Sequence, residues 1–360
     1  MTFEVKTMEQ SWKNNLRKIK PYVPGEQSKD KNIIKLNANE NPYPPSPKAV
    51  EVIRAFDTDN LRFYPKADAM PLKEAIADFY GVKASNVFVG NGSDDVLAVA
   101  FQALFNSDLP IVYPDLTYSF YPVWCDLFNI PYKTYPVGED FRINVEDYAE
   151  KNGGVVIPNP NAPTSLGEGP DFVKRLMDLN PDSVVIIDEA YNDFGGVTSA
   201  PLIGTYENLL VTGTFSKSRS LAGLRIGFAI GSETLIGVLE AVKNSYNSYT
   251  VDSLSVEAGR ASILDREYFT ECCNKIINTR QRVTQEMRAL GFTVLDSQAN
   301  FIFATKDDMR VKDMFEYLKT RKVYIRYFNL PRIDNYVRIT IGTDEEMDAF
   351  LRELKEYMEV

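Results

Sequence analysis

From about residue 70 the chain alternates between two hydrophobic rhythms. Apolar positions recur at helical spacing over 71–80, 94–105, 117–128 and 170–179, and a shorter helix is predicted over 48–56. Between them lie "NVFVG", "PIVY", "GVVIPN", "SVVIID", "NLLVTGTF" and "RIGFAIG". These runs are short, rich in β-branched residues and bounded by Gly, Pro, Asn or Asp, which predicts strands buried on both faces. Strands alternating with helices predict an α/β layer built on a mostly parallel sheet flanked by helices.

Further along, the order of elements changes. Long helical patterns over 233–245 and 251–290, the second broken near 264–266, lead into "GFTVLDS", "NFIFAT", "KVYIRYF" and "YVRITIG", which read as strands. Helices are predicted near 311–319 and 344–358. The reading is a large domain over 48–266 and a small α+β domain over 267–360. Residues 1–47 read as an N-terminal arm and part of the small domain. The arm is weakly amphipathic over 12–19, and Pro42, Pro44, Pro45 and Pro47 exclude a helix or central strand where it ends.

Composition narrows the function. With 360 residues, 44% of them hydrophobic, the chain can bury one large core and a smaller one. A net charge of −10 makes it a poor partner for nucleic acid or an anionic membrane. Any anion it binds must be held by a local cluster of cations. Cys125, Cys272 and Cys273 have no metal-ligand spacing and suit a reducing compartment. No run approaches the ~20 apolar residues of a spanning helix, and "MTFEVKTMEQ" lacks the pattern of a leader, so a cytoplasmic protein is predicted. There is no histidine, which removes Ser-His and Cys-His nucleophiles and most zinc sites. No metal site is expected. Proton transfers would fall to Lys, Tyr, Asp, Glu or a cofactor.

Four stretches place chemistry at predicted strand ends. "GNGSDD" (90–95) turns from a strand into a helix, with Ser93 as N-cap and Asp94 and Asp95 in the first turn. It reads as a capped helix or as a phosphate cradle made of backbone N–H groups, the carboxylates turned away. "IIDEAYNDF" sets Asp188 at the end of an apolar run, either as a plain cap or as a carboxylate facing a ligand. "IPNPNAPTS" is a rigid turn presenting amides, or a surface loop. "TGTFSKS" places Lys217 after a fourth strand, and Arg225 follows within the next apolar run. One anionic ring cofactor accounts for all four: a phosphate at the helix N-terminus, a ring nitrogen on Asp188, a ring oxygen on an Asn and an aldehyde on Lys217. That is the constellation for pyridoxal phosphate. Thr214, Ser216 and Arg225 would complete the phosphate site.

"NANENPY", "GNGSDD", "PNPNAPTS", "DEAYNDF", "TFSKSRSLAGLRIGF" and "YVRITIG" occur in the order seen in the fold-type I pyridoxal-phosphate aminotransferases, which the chain resembles over nearly its whole length. The likeness is strongest to the histidinol-phosphate branch. It implies a homodimer that transfers an amino group between histidinol phosphate and 2-oxoglutarate. The resemblance implies that Lys217 forms the Schiff base, Asp188 pairs with the ring nitrogen, Tyr191 bonds the ring oxygen and Tyr118 stacks on the ring. Ser93 and Asp94 would offer amides, and Ser216 and Arg225 side chains, to the phosphate. Tyr64 would reach the cofactor of the partner subunit. Arg338 and Asn39 would bind substrate. Arg326 and Tyr22 would hold its phosphate, Tyr22 again from the partner.

The chain departs from the family in "PNPNAPTS", where many relatives carry Asn at the position of Ala162 and Gly at that of Ser165. Asn161 is taken as the ring contact, with Asn159 or no asparagine as alternatives. Arg338 has a plainer reading too: it alternates with Val337 and Ile339 and could face water. An aromatic aminotransferase or an amino-acid-phosphate decarboxylase would keep Lys217 and Asp188. A non-catalytic binding protein of the same fold would have no need of them.

Overall fold

A computed structural model describes residues 11–22, 30 and 32–359. The leader reading, which concerns residues 1–10, lies outside them. The strands in chain order are β1 Ile34–Lys35, β2 Val87–Asn91, β3 Ile111–Pro114, β4 Tyr132–Tyr135, β5 Gly154–Pro158, β6 Val185–Asp188, β7 Leu209–Thr214, β8 Ile226–Gly231, β9 Thr293–Val294, β10 Phe301–Thr305, β11 Val323–Tyr324, β12 Arg326–Tyr327 and β13 Val337–Thr340. The α-helices are α1 Pro47–Ala55, α2 Met70–Tyr80, α3 Ser93–Leu104, α4 Tyr121–Phe128, α5 Pro170–Leu179, α6 Glu233–Tyr246, α7 Ser253–Leu264, α8 Arg266–Ala289, α9 Val311–Thr320 and α10 Asp344–Glu359.

Seven strands form one sheet in the order β2-β8-β7-β6-β5-β3-β4. Only β8 opposes the rest, pairing antiparallel with β2 and β7. β3, β5, β6, β7 and β8 are buried along their whole length, as continuous apolar runs require when helices cover both faces. β4 was not foreseen. Its sequence, YKTY, is mostly exposed, and polar residues with a lysine suit the unprotected rim of a sheet.

A second sheet, β12-β13-β10-β9, packs with α8, α9 and α10 around a separate core holding Ile276, Phe350 and Leu354. Leu36 belongs to this core, because β1 pairs in parallel with β11 and carries the N-terminal segment onto it. "KVYIRYF" is therefore not one strand: the chain pairs with β1 at 323–324 and with β13 at 326–327. The predicted helix over 117–128 begins only at Tyr121, with a proline in its first turn, and residues 117–120 remain a turn. The long pattern over 251–290 breaks at Asp265, whose carboxylate accepts from Ser46 Oγ at 2.7 Å and pairs with Lys48 at 3.2 Å. No helix among the described residues is long and apolar enough to cross a membrane.

Phe350 on α10 is fully buried in the second core. Phe350→Ala is expected to cost about 3–5 kcal/mol, the range for emptying an aromatic site that cannot collapse. A lowered midpoint in urea unfolding checks it.

Candidate functional site

Because β2, β5, β6 and β7 run parallel, their carboxyl ends come to one edge of the sheet, where ligands of open α/β sheets sit. β8 runs the other way, so its first residue comes to that edge and brings Arg225 with it. A cavity of about 350 Å³ opens there. Ser93, Asp94, Tyr118, Asp188, Tyr191, Thr214, Ser216, Lys217 and Arg225 line it from the large sheet's side. Tyr22, Asn39, Arg326 and Arg338 line it from the other.

At the β2–α3 turn the helix cap is Gly92 rather than Ser93, which is the first helical residue. Gly92 has φ +86°, and Gly227 of β8 lies so close that a Cβ on it would fall 2.3 Å from Gly92 C and 2.4 Å from Ser93 N. Only glycine fits both positions, and the result is a backbone cradle open toward the cavity. The nearby carboxylates are engaged. Asp94 accepts from Tyr118 OH at 2.7 Å and pairs with Arg225 at 3.2 Å, and Asp95 accepts from Asn91 N–H at 2.8 Å. Burial and the Asp94 charge push the Tyr118 phenol well above its usual range. Thr214 Oγ1 donates to Ser216 Oγ at 3.0 Å, which sets both hydroxyls beside the cradle.

Asp188 ends β6 and is 5% exposed. It accepts from Tyr121 OH at 3.0 Å, Thr212 Oγ1 at 3.3 Å and Ala190 N–H at 3.3 Å. Burial raises its carboxyl to about 6, against the pull of these donors. Among the described residues no lysine or arginine pairs with it. Lys217 Nζ donates to Ala38 O at 3.3 Å and stands 5.8 Å from the Tyr191 ring centre. Its turn is clamped by Asn41, whose amide donates to Lys217 O at 2.9 Å.

On the opposite wall Arg326 of β12 and Arg338 of β13 are direct cross-strand partners. Like charges so placed repel. Arg338 donates to Asn37 O at 3.1 Å and lies 5.2 Å from the Phe301 ring, while its Nε is buried with no partner among the described residues. Burial, with Arg326 adding to it, pulls its pKa down. Neither arginine pairs with a carboxylate among the described residues. The arrangement therefore asks for an anion between them and a cation at Asp188.

One expected contact is not formed. Asn161 does not reach the cavity. Its amide donates to Leu116 O at 2.9 Å, and the wall there is Ala162 and Pro163. Asn159 is no substitute, since it bonds Glu168 N–H at 2.7 Å and Glu168 O at 3.0 Å. Tyr22 lines the cavity of its own chain, stacked on Phe120 with ring centres 4.2 Å apart. Tyr64 is 83% exposed, stacked on Tyr249 and away from this cavity. Tyr121 and Asn41 escaped the sequence reading. Tyr121 lies three residues after Tyr118, and Asn41 is in "NANENPY", so each carried a weak signal.

A doubly covered, mostly parallel sheet with a lysine, a carboxylate and a glycine-built anion cradle at its carboxyl edge defines a fold-type I transferase. The chain belongs to the class I and II aminotransferases, whose family model matches residues 31–354. It is 51% identical over 348 residues to histidinol-phosphate aminotransferase of Acinetobacter baumannii strain SDF, covering 96% of each chain. It is 49% identical over 351 residues to histidinol-phosphate aminotransferase 1 of Hydrogenovibrio crunogenus, covering 98% of this chain and 99% of the relative. The crystal structure of the Sinorhizobium meliloti histidinol-phosphate aminotransferase in complex with pyridoxal-5'-phosphate matches with a TM-score of 0.79 at 25% identity, covering 89% of both chains.

The state of Asp188 sets a pH dependence. Its folded value of about 6 lies above the ordinary 3.8, so its protonated form favours the fold. That contribution is full below about pH 4 and is lost as pH rises through 6, a difference of roughly 3 kcal/mol. Cofactor-free Asp188→Asn is expected to be more stable than the wild type at about pH 8, with the gap closing near pH 4. Thermal unfolding across that range checks it.

Proposed function

We propose that the chain is a pyridoxal-phosphate-dependent histidinol-phosphate aminotransferase, converting histidinol phosphate and 2-oxoglutarate to imidazole acetol phosphate and glutamate. The carrying observation is the set of charges in one cavity left uncompensated among the described residues: Asp188 without a cation, and Arg326 facing Arg338 without an anion. The near 50% identity to enzymes of that name supports it.

The residues present fit the cofactor. The Gly92–Ser93 turn offers amides to a phosphate in a space that a Cβ on Gly227 would close. Ser93, Thr214, Ser216 and Arg225 add donors, with the Asp94 amide at the helix N-terminus. Asp188 would hold the ring nitrogen, Tyr118 would cover the ring face and Tyr191 would meet the ring oxygen. When bound, pyridoxal phosphate supplies an aldehyde that takes up amino groups and a protonated ring that draws electrons from the substrate carbon. Lys217 would hold that aldehyde in the resting enzyme. Once displaced, its amine would take the proton from the carbon bearing the amino group and return it to the former aldehyde carbon on the far side of that nitrogen. Arg338 binds an acidic group in each half-reaction, a carboxylate of glutamate or the phosphate of histidinol phosphate. Arg326 and Tyr22 face the phosphate, for which two forked guanidinium groups suit more oxygens than one. Asn39 contributes to the same wall.

We infer that the enzyme is a homodimer with Tyr64 reaching the partner's site. Tyr64 is exposed beside exposed Leu61 and Phe63, a strip whose burial would complete the site. The free, buried thiols of Cys125, Cys272 and Cys273 support a cytoplasmic location.

Borohydride reduction of the loaded enzyme is expected to fix the cofactor on the peptide containing Lys217, and mass spectrometry of Lys217→Ala should show none. In single-turnover assays Arg338→Ala should slow both half-reactions. Arg326→Ala should slow histidinol phosphate at least about tenfold more than glutamate. A wild type that transfers from aromatic amino acids but not from histidinol phosphate would replace the substrate assigned here. Mixing inactive Lys217→Ala with inactive Tyr64→Ala chains should restore part of the activity through mixed dimers. Full activity in a demonstrated monomer would exclude the shared site.

A further inference from the structure

The wall that faces the ring-oxygen end of the cavity holds no amide from the 158–165 turn: Asn159 and Asn161 are spent on Glu168 and Leu116, and Ala162 has nothing to donate. The amide that does reach this region comes from the N-terminal segment. Asn39 is 1% exposed and donates from Nδ2 to Tyr191 OH at 3.0 Å. It is held on every other side. Its backbone N–H donates to Thr340 Oγ1 at 2.9 Å, and that hydroxyl donates in turn to Asn39 Oδ1 at 3.1 Å. Its carbonyl accepts from Asn300 Nδ2 at 3.0 Å. Its φ of +54° is a conformation that Asn and Gly tolerate better than most residues.

An amide nitrogen only donates, so Tyr191 oxygen is the acceptor in this bond and its own proton points elsewhere. We propose that Asn39 is a positioning residue that acts through Tyr191, keeping its hydroxyl a donor toward the phenolic oxygen of the cofactor ring. Ala162 offers that oxygen no donor, so it depends on Tyr191, which Asn39 holds from behind. The proposal rests on the functional reading above, and it moves Asn39 from substrate contact to a role behind Tyr191. Lys217, Arg338, Tyr118 and Tyr121 are the charged and titratable groups that also face Tyr191. The test therefore compares variants that leave all four in place.

A hydrogen bond donated to the ring oxygen favours the deprotonated bound cofactor, in which that oxygen carries more negative charge. Losing the bond moves the midpoint of the cofactor's visible pH titration upward. Asn39→Gly keeps the backbone conformation and removes the side chain. Asn39→Asp keeps the shape and the bond to Thr340 but replaces the donor by an acceptor, drawing the Tyr191 proton away from the cavity. The experiment titrates each variant loaded with pyridoxal phosphate. Asn39→Gly should raise the midpoint by about one pH unit, and Asn39→Asp by more. Combining either with Tyr191→Phe should add nothing to the shift of Tyr191→Phe alone. An unchanged midpoint in both Asn39 variants, or shifts that add in full to that of Tyr191→Phe, overturns the proposal alone. A wild type that develops no visible band with pyridoxal phosphate overturns the functional reading and the proposal with it.

Discussion

A carboxylate ends a buried strand with three hydrogen-bond donors and, among the described residues, no cation, and the rest of the site follows from that imbalance. Desolvation of Asp188 is only partly offset by Tyr121, Thr212 and the Ala190 amide, which is why its carboxyl sits near 6 rather than near 4. A bound cationic nitrogen would reverse the balance, turning an unfavourable buried charge into half of an ion pair. Selection for folding alone would place an asparagine or a hydrophobe here. The sheet keeps the aspartate where its strand meets the cavity, so local stability gives way to ligand binding.

The arginines on the opposite wall carry the complementary imbalance. Arg326 and Arg338 oppose each other across β12 and β13, and Arg338 leaves its Nε buried and, among the described residues, unpartnered. In a protein with a net charge of −10 the overall field repels anions. Attraction must therefore come from this short-range pair, together with Arg225 at the far end. Arg225 is less exposed to this cost, because Asp94 balances it when no phosphate is present. The cavity is thus positive at two ends and negative at its floor, a pattern matched to a ligand with a cationic ring between two acidic ends.

Much of this could be read in the amino-acid order. The strands β5 to β8 are continuous apolar runs, and such runs declare themselves without any partner being known. Asp188 and Lys217 were legible because each follows such a run. What escaped depends on contacts that sequence spacing does not encode. β4 has no apolar periodicity because it is a rim strand, and the start of α4 shifted by four residues because a proline inside its first turn outweighed the apolar pattern. Asn161 was misplaced because a turn with several amides can aim any one of them inward, and here the Leu116 carbonyl captured it. The path of the arm that carries Tyr22 cannot be read from its composition either. Tyr22 packs back onto Phe120 of its own chain.

The cavity is closed by residues from outside the large sheet. The segment after β1 runs between the two sheets: Leu36 sits in the second core, Asn39 ties to Thr340, and Asn41 clamps the Lys217 turn. Asn39 and Thr340 are 301 positions apart, and Asn41 and Lys217 are 176 apart. Contacts of such separation form late, since the loop entropy must be met before they contribute. The large sheet can present Asp188, Lys217 and the glycine cradle once its own strands pair. The arginine wall and the support of Tyr191 require the N-terminal segment to dock on the C-terminal strands. Cofactor contacts and substrate contacts are therefore built by different parts of the chain, and a single short segment near residue 40 brings them to the same cavity.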